Sequence, residues 1–307
     1  MTQKGRLPVC KIYPDSPWRC RQTAQKGEIM ERELLNKGPV LDKKGRPVPG
    51  FSRKSILTYD RRAIRAFPWR IKEWDFYQIS NSHLCLQLTI GHAAYAGQVS
   101  LMLFDFQKGK KYLDICRTLA LPFGSLHMPT DAEADHTLSY LHRGLPNKYG
   151  NSDIFMGFET SCGRRILTCR WKDLDARIEL ERKNPDSLVV NLPFDENRHA
   201  FYYNHKINCM TAEGYVRTHS HEWTFDPEDS FGILDWGRGV WPFHNEWYWS
   251  NGSGWLNSEM FGFNLGLRLR KHRYCQRKYT LLPGNFPQAR KGGFYSGKRL
   301  YGSLASA

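Results

Sequence analysis

From about position 55 the chain alternates apolar and polar residues with period two. Leu84, Leu86, Leu88 and Ile90 share one face of a predicted strand, and Val99, Leu101 and Leu103 share one face of the next. GHAAYAG lies between them and supplies a turn. Leu167, Cys169 and Trp171 alternate in the same way, then Ile178 and Leu180, then Leu188 and Val190 after an Asn-Pro-Asp-Ser turn. Short period-two segments separated by turn signals predict antiparallel sheet closed into a barrel or sandwich. No stretch keeps a helical period beyond about three turns. The fold class expected is therefore mainly β. Residues 121–155 are mixed and read equally as hairpins or as a long loop. Residues 1–50, rich in Lys, Arg, Pro and Gly, read as an arm that wraps a core, with a short helical candidate around Glu28 to Leu35.

Charge changes this picture in one place. The 307 residues carry 45 Lys and Arg against 30 Asp and Glu, a formal net charge of +15. Ten of the basic residues fall in 267–307, which holds no acid, leaving 35 basic against 30 acidic residues before it. A nucleic-acid role would rest wholly on that tail, since the body shows no basic stripe with interleaved aromatics. We expect no nucleic-acid partner. No apolar run reaches the roughly 18 residues of a membrane-spanning helix, and MTQKGRLPVCKIYPDSPWRC has no apolar signal core. The eight cysteines are scattered without a C-x-x-C pair, the usage of reduced thiols and a cytoplasmic location.

The candidate chemistry concentrates late in the chain. Five of the ten tryptophans lie between positions 236 and 255. In FGILDWGRGVWPFHNEWYW, Asp235 stands between Leu234 and Trp236, where ionisation is costly unless it is paired. Arg238 is the expected partner. Gly237 and Gly239 flank it, as where a backbone approaches another chain closely. Two readings stay open. One is a buried Asp–Arg pair with an aromatic plug that holds a barrel together. The other is an apolar cavity with one proton-donating acid, Asp235, lined by Trp236, Arg238, Trp241, His244, Trp247, Trp249, Tyr203 and His205. Trp247 and Trp249 would face one side of a strand and Tyr248 the other. His219 and His221, two apart, with Glu222 or His205, form only a weak metal pattern, so no metal and no cofactor are expected. In RIKEWDFYQI (Arg70 to Ile79), one carboxylate of Glu73 and Asp75 is expected to face solvent and the other the interior. No P-loop, dinucleotide fingerprint, nucleophile elbow or H-E-x-x-H helix is present.

GRPVPGFSRKSILTYDR, RIKEWDFYQI, FYYNHKINCM and LDWGRGVWPFHNEWYW…GFNLG resemble the family called domain of unknown function 2804, from about Leu41 to Gly266. That family is distantly similar to tandem lipocalin-like proteins, including carotenoid hydratase and AttH-type proteins. The resemblance implies two consecutive lipocalin-like antiparallel β-barrels, 51–200 forming the first and 201–266 the start of the second. In the hydratases an Asp close to a Trp protonates an alkene, and by motif position the acid here would be Asp235, with Trp236 and Trp241 beside it. The family's Asp-His pattern reads Asp235-Trp236 here. After GFNLG the family continues through G-F-G, A-x-E-N and H-K-L segments, which this chain replaces with its basic tail. A one-base shift from Leu267 restores all three in order. We therefore expect 267–307 to be an out-of-frame, poorly ordered tail and the second barrel to be incomplete. The function implied is binding of a hydrophobic small molecule, a lipid or isoprenoid. The alternative is a cofactor-independent hydratase or isomerase using Asp235.

Overall fold

The computed structural model describes residues 32–93, 95–120, 122–142, 153–243, 247–256, 258–267 and 278–279. Among the described residues, short strands β1 (Gly38–Pro39), β2 (Gly50–Ser52) and β3 (Leu57–Thr58) come first. A meander follows: β4 (Ile71–Ser80), β5 (Leu84–Ala93), β6 (Ala96–Asp105) and β7 (Lys110–Ala120). The next run is β8 (His136–His142), β9 (Ile154–Ser161), β10 (Arg164–Trp171), β11 (Leu174–Arg182) and β12 (Leu188–Phe194). Then come β13 (Asn197–Arg217), β14 (Glu222–Phe225), β15 (Phe231–Val240), β16 (Tyr248–Leu256), β17 (Glu259–Leu267) and β18 (Lys278–Tyr279). The mainly β, antiparallel class is as expected.

Ten strands pair edge to edge in the order β7-β6-β5-β4-β15-β13-β11-β10-β9-β8. The 21-residue β13 is the hub. Along one side it pairs first with β12 and then with β11; along the other, with β15 and then β14. A bulge between Ile207 and Met210, with Cys209 at φ +58°, bends it between those partners. The boundary placed near residue 200 thus falls inside a paired strand, and β15 sits in the middle of the sheet beside β4.

The sheet curls. Tyr77 of β4 meets Phe158 of β9 at 4.9 Å although four strands separate them in the order, and Tyr112 of β7 meets Trp223 of β14 at 5.3 Å. The concave face buries Leu86, Leu88, Ile90, Val99, Leu101 and Leu103, the alternating positions of β5 and β6. Each such side chain contributes about 2 kcal/mol on burial. The two ends of the curl, β7 and β8, pair only with β6 and β9 among the described residues.

The described part of the N-terminal arm packs on the core: Leu34, Val40, Leu41 and Leu57 are buried, and β2 pairs with β12. Of the helix expected around Glu28 to Leu35, residues 28–31 lie outside the described residues. Arg32 to Leu35 are non-helical, because Glu33 bridges to Phe51. The tail expected to be poorly ordered, 267–307, lies outside the described residues except for Leu267 and β18.

Candidate functional site

All ten residues of β15 are buried. A strand is buried on both faces only when each is covered. Here the concave core lies on one side and the β16–β17 hairpin on the other. Alternation sends Leu234, Trp236 and Arg238 to the concave face, and Ile233, Asp235 and Gly237 to the convex one. This corrects the pairing expected from sequence. Asp235 and Arg238 are three apart, so they point to opposite faces, and each has a different partner.

On the concave face Arg238 is fully buried. Its Nη2 donates to Asp75 Oδ1 at 2.9 Å and to Pro129 O at 2.8 Å, and its Nη1 donates to the carbonyls of Trp74 and Gly237, both at 2.8 Å. Its guanidinium carbon lies 3.8 Å from the centre of the Trp236 ring. Two positions earlier on β4, Glu73 accepts from Tyr59 Oη at 2.7 Å and from Arg61, and its Oε2 lies 2.9 Å from His92 Nε2. Glu73 and Asp75 are both buried, 2% and 1% exposed, against the expectation that one would face solvent. The physical reason is the period itself: residues two apart share a face, and Trp74 between them takes the other.

The two carboxyls differ electrostatically. Burial pushes Asp75 up from the ordinary carboxylate range, and the Arg238 charge and hydrogen bond only partly oppose it. Burial also pushes Glu73 up, but His92, Arg238, Tyr59 and Arg61 outweigh it and leave Glu73 below that range. Asp75 Oδ2 and Trp236 Nε1, on directly opposed residues, have no hydrogen-bond partner among the described residues. The same holds for His136 Nε2, whose ring sits 2.7 Å through Nδ1 from Ala134 O. Buried polar atoms are seldom left unpaired, so such a group marks a place for water or for a polar ligand atom.

The convex face is closed by comparison. Asp235 accepts from Lys206 Nζ at 2.9 Å and from Asn204 Nδ2. Burial lowers the Lys206 pKa, and Asp235 pulls it back up. The Lys206 ammonium also lies 4.5 Å from the centre of the Trp249 ring. The hairpin is fastened across this face by Trp249 on Phe76, Gln78 on Asn251, and Asn208 on the carbonyls of Gly252 and Phe263. Gly237 is required here, since a Cβ would overlap the Trp74 ring. Gly239 is required too, since its Cβ would meet the Phe201 carbonyl oxygen.

The residues expected to line one site therefore divide. Trp236, Arg238, Tyr203 and His205 share the concave face. Tyr203 donates to Leu57 O at 3.0 Å, and His205 Nε2 meets Ser187 Oγ at 2.7 Å, with burial holding its pKa down at about 4. Asp235, Trp241 and Trp249 belong to the convex face, where Trp241 packs on Trp74 and Tyr202. Trp247 is 57% exposed and touches Trp241 edge-on at 4.9 Å. His244 lies outside the described residues. His219 and His221 sit in the turn before β14, away from buried His205, and no metal-binding cluster occurs among the described residues.

Sequence reasoning missed Asp75, Glu73 and His136 as members of the concave site. The signal for the first two was two carboxylates on the buried phase of an otherwise apolar strand. Among the described residues, two further clefts lie away from this site. One, of about 550 Å³, opens in the seam between the sheet's ends and is lined by Leu119 and Ala120 of β7, Leu126 and His127 of the connecting loop, and Leu138 to Leu141 of β8. The other, of about 400 Å³, is lined by Leu141, Phe155, Arg170 and Trp171. Neither is lined by any candidate site residue named from the sequence.

The chain belongs to the family "Domain of unknown function (DUF2804)", which it matches over residues 31–274. No curated protein matches it. Among solved structures it is similar to a protein assigned as AttH from Nitrosomonas europaea, at 13% identity and a TM-score of 0.39, covering 65% of this chain and 61% of that one. The chain thus spans about three fifths of the length of that protein. CghA with Sch210972 gives 11% identity and a TM-score of 0.41, over 80% of this chain and 67% of that one. Kievitone hydratase from Nectria haematococca gives 8% and 0.37, over 70% and 69%.

Proposed function

We propose that this member of the DUF2804 family binds a hydrophobic small molecule carrying one polar group, taken into the curled sheet through the seam between β7 and β8. One observation carries the reading: β8, which walls the seam cleft with Leu138 and Tyr140, continues on the same phase to His136, whose Nε2 is buried without a partner among the described residues. The concave face of the sheet carries unpaired polar atoms of Asp75, His136 and Trp236. Pockets of this kind take most of their affinity from apolar lining and their orientation from a few polar groups. In this reading the β16–β17 hairpin is the opening of a second lipocalin-like barrel. Asp235 is its structural anchor rather than a reacting group.

The test is displacement of a fluorescent fatty-acid probe, compared with Ser139→Trp, which fills the cleft from an exposed position. The variant should weaken probe binding about tenfold, a loss of about 1.4 kcal/mol. Equal affinity in the two proteins excludes the seam as the binding site.

The raised pKa of Asp75 favours a second reading, general-acid chemistry on a bound alkene. The Asp75 proton would add to one alkene carbon and water to the other, and the proton lost by that water would return to the carboxylate. Incubation of an isoprenoid alkene in ¹⁸O-water should then give a labelled alcohol with the wild type and with Asp235→Asn, but none with Asp75→Asn. Product from Asp75→Asn at the wild-type rate removes this reading.

A further inference from the structure

At the end of the sheet where β4 begins and β15 finishes, four large aromatic side chains stand in solvent: Phe67 is 66% exposed, Trp69 45%, Phe243 86% and Trp247 57%. They form one patch. Phe67 and Trp69 stack at 4.5 Å on either side of Pro68, which opens a 3-10 turn ending at Arg70. Arg70 ties that turn to the segment after β15, since Nη2 donates to Trp241 O at 2.7 Å and its guanidinium carbon lies 4.3 Å from the centre of the Phe243 ring. Trp241 carries the contact on to Trp247.

The border of the patch is cationic. Arg65 donates to Lys43 O at 3.1 Å, placing Lys43 and Lys44 of the loop after β1 next to it. Lys72 Nζ lies 4.8 Å from the centre of the Trp241 ring. None of Lys43, Lys44, Arg65, Arg70 and Lys72 is ion-paired to a carboxylate among the described residues, whereas neighbouring Arg46 and Arg62 are paired to Asp42 and Asp60. This corrects the expectation that the body lacks a basic stripe with aromatics. The stripe is assembled from three segments far apart in sequence.

We propose that this patch docks the protein on a membrane surface containing anionic lipid. Trp and Phe with polar or cationic neighbours suit the headgroup level, where the rings bury apolar area while Lys and Arg meet lipid phosphates. Phe67 and Trp69 already cover one face each by stacking on one another, which suits insertion side by side better than stacking on successive bases. The patch is separate from the seam cleft and does not depend on the reading of it.

The experiment is co-sedimentation of the full chain with phosphatidylcholine vesicles prepared with and without phosphatidylserine, at low and at high salt. Wild type should sediment with the phosphatidylserine vesicles, with a blue shift of tryptophan emission, and should bind plain vesicles at least tenfold more weakly. Phe67→Ser with Trp69→Ser, both exposed, should lose at least tenfold in binding while keeping the far-ultraviolet spectrum. Lys43→Gln with Arg65→Gln should reduce both the binding and its dependence on salt. Wild type and the aromatic variant binding alike overturns the proposal, as does wild type binding neither vesicle. A self-association that Trp69→Ser abolishes would assign the patch to a second copy instead, and preferential retention of a single-stranded oligonucleotide would assign it to nucleic acid. Either result overturns membrane docking.

Discussion

Two buried acid–base pairs stand back to back on β15. Arg238 with Asp75 lies on the concave face and Lys206 with Asp235 on the convex face. Both involve charges taken out of water, yet they are finished differently. The convex acid has partners for both oxygens, and a hairpin fastened by side-chain amides covers it. The concave acid uses one oxygen on a guanidinium that is itself fully occupied, and its other oxygen has no partner among the described residues. A closed pair holds architecture in place, while a pair with spare hydrogen-bonding capacity in a core can receive something. The sequence motif that draws the eye, Asp235, belongs to the closed pair.

The sharpest way to break this contrast is to remove the concave base. Arg238→Met leaves Asp75 and four carbonyl hydrogen bonds uncompensated, and should cost about 4 kcal/mol or abolish soluble expression, measured by urea denaturation.

A pH dependence of the concave face comes next. Burial lowers the His205 pKa from 6.5 to about 4. The unfolded chain therefore takes up this proton first, and stability is lost as pH falls from 6.5 toward 4, by about 3 kcal/mol. His205→Gln should flatten that limb of a stability–pH curve, and an unchanged slope would show that His205 is not the titrating group. Asp75 has the opposite sign. Its folded pKa is raised, so its contribution is present at low pH and is lost as pH rises through that value.

On the convex face, Asp235→Asn should cost about 2 kcal/mol, because it leaves the buried Lys206 ammonium without its counter-charge. A double-mutant cycle with Lys206→Met should recover most of that loss. Asp75→Asn should have the smallest effect, about 1 kcal/mol, since the amide keeps an oxygen for Arg238 and Arg238 keeps its hydrogen bonds to the Trp74, Gly237 and Pro129 carbonyls.

Much of the fold was legible because period-two patterning is a local property. Leu84 to Ile90 and Val99 to Leu103 form adjacent paired strands, as the alternation required; Trp249 lies in a strand of the hairpin, but Trp247, expected on the same strand, precedes it. The same rule, applied strictly, also places Glu73 with Asp75 on one face and separates Asp235 from Arg238. Which strands meet was not legible. Asp75 and Arg238 come together only because β4 pairs with β15, and no local pattern encodes a contact 163 positions apart. His136 was hidden for another reason, since 121–155 carries no clear period. The cationic aromatic patch was hidden because its residues come from separate loops.

The central claim is that the functional carboxyl is Asp75 on the concave face. It is tested most directly by titrating one fluorescent fatty-acid probe into wild type, Asp75→Asn and Asp235→Asn under identical conditions. The account predicts that Asp75→Asn changes the probe's Kd by about tenfold, while Asp235→Asn, once corrected for its folded fraction, stays within about twofold of wild type. If Asp235→Asn loses the probe and Asp75→Asn keeps it, the binding site lies on the convex face and the account is wrong.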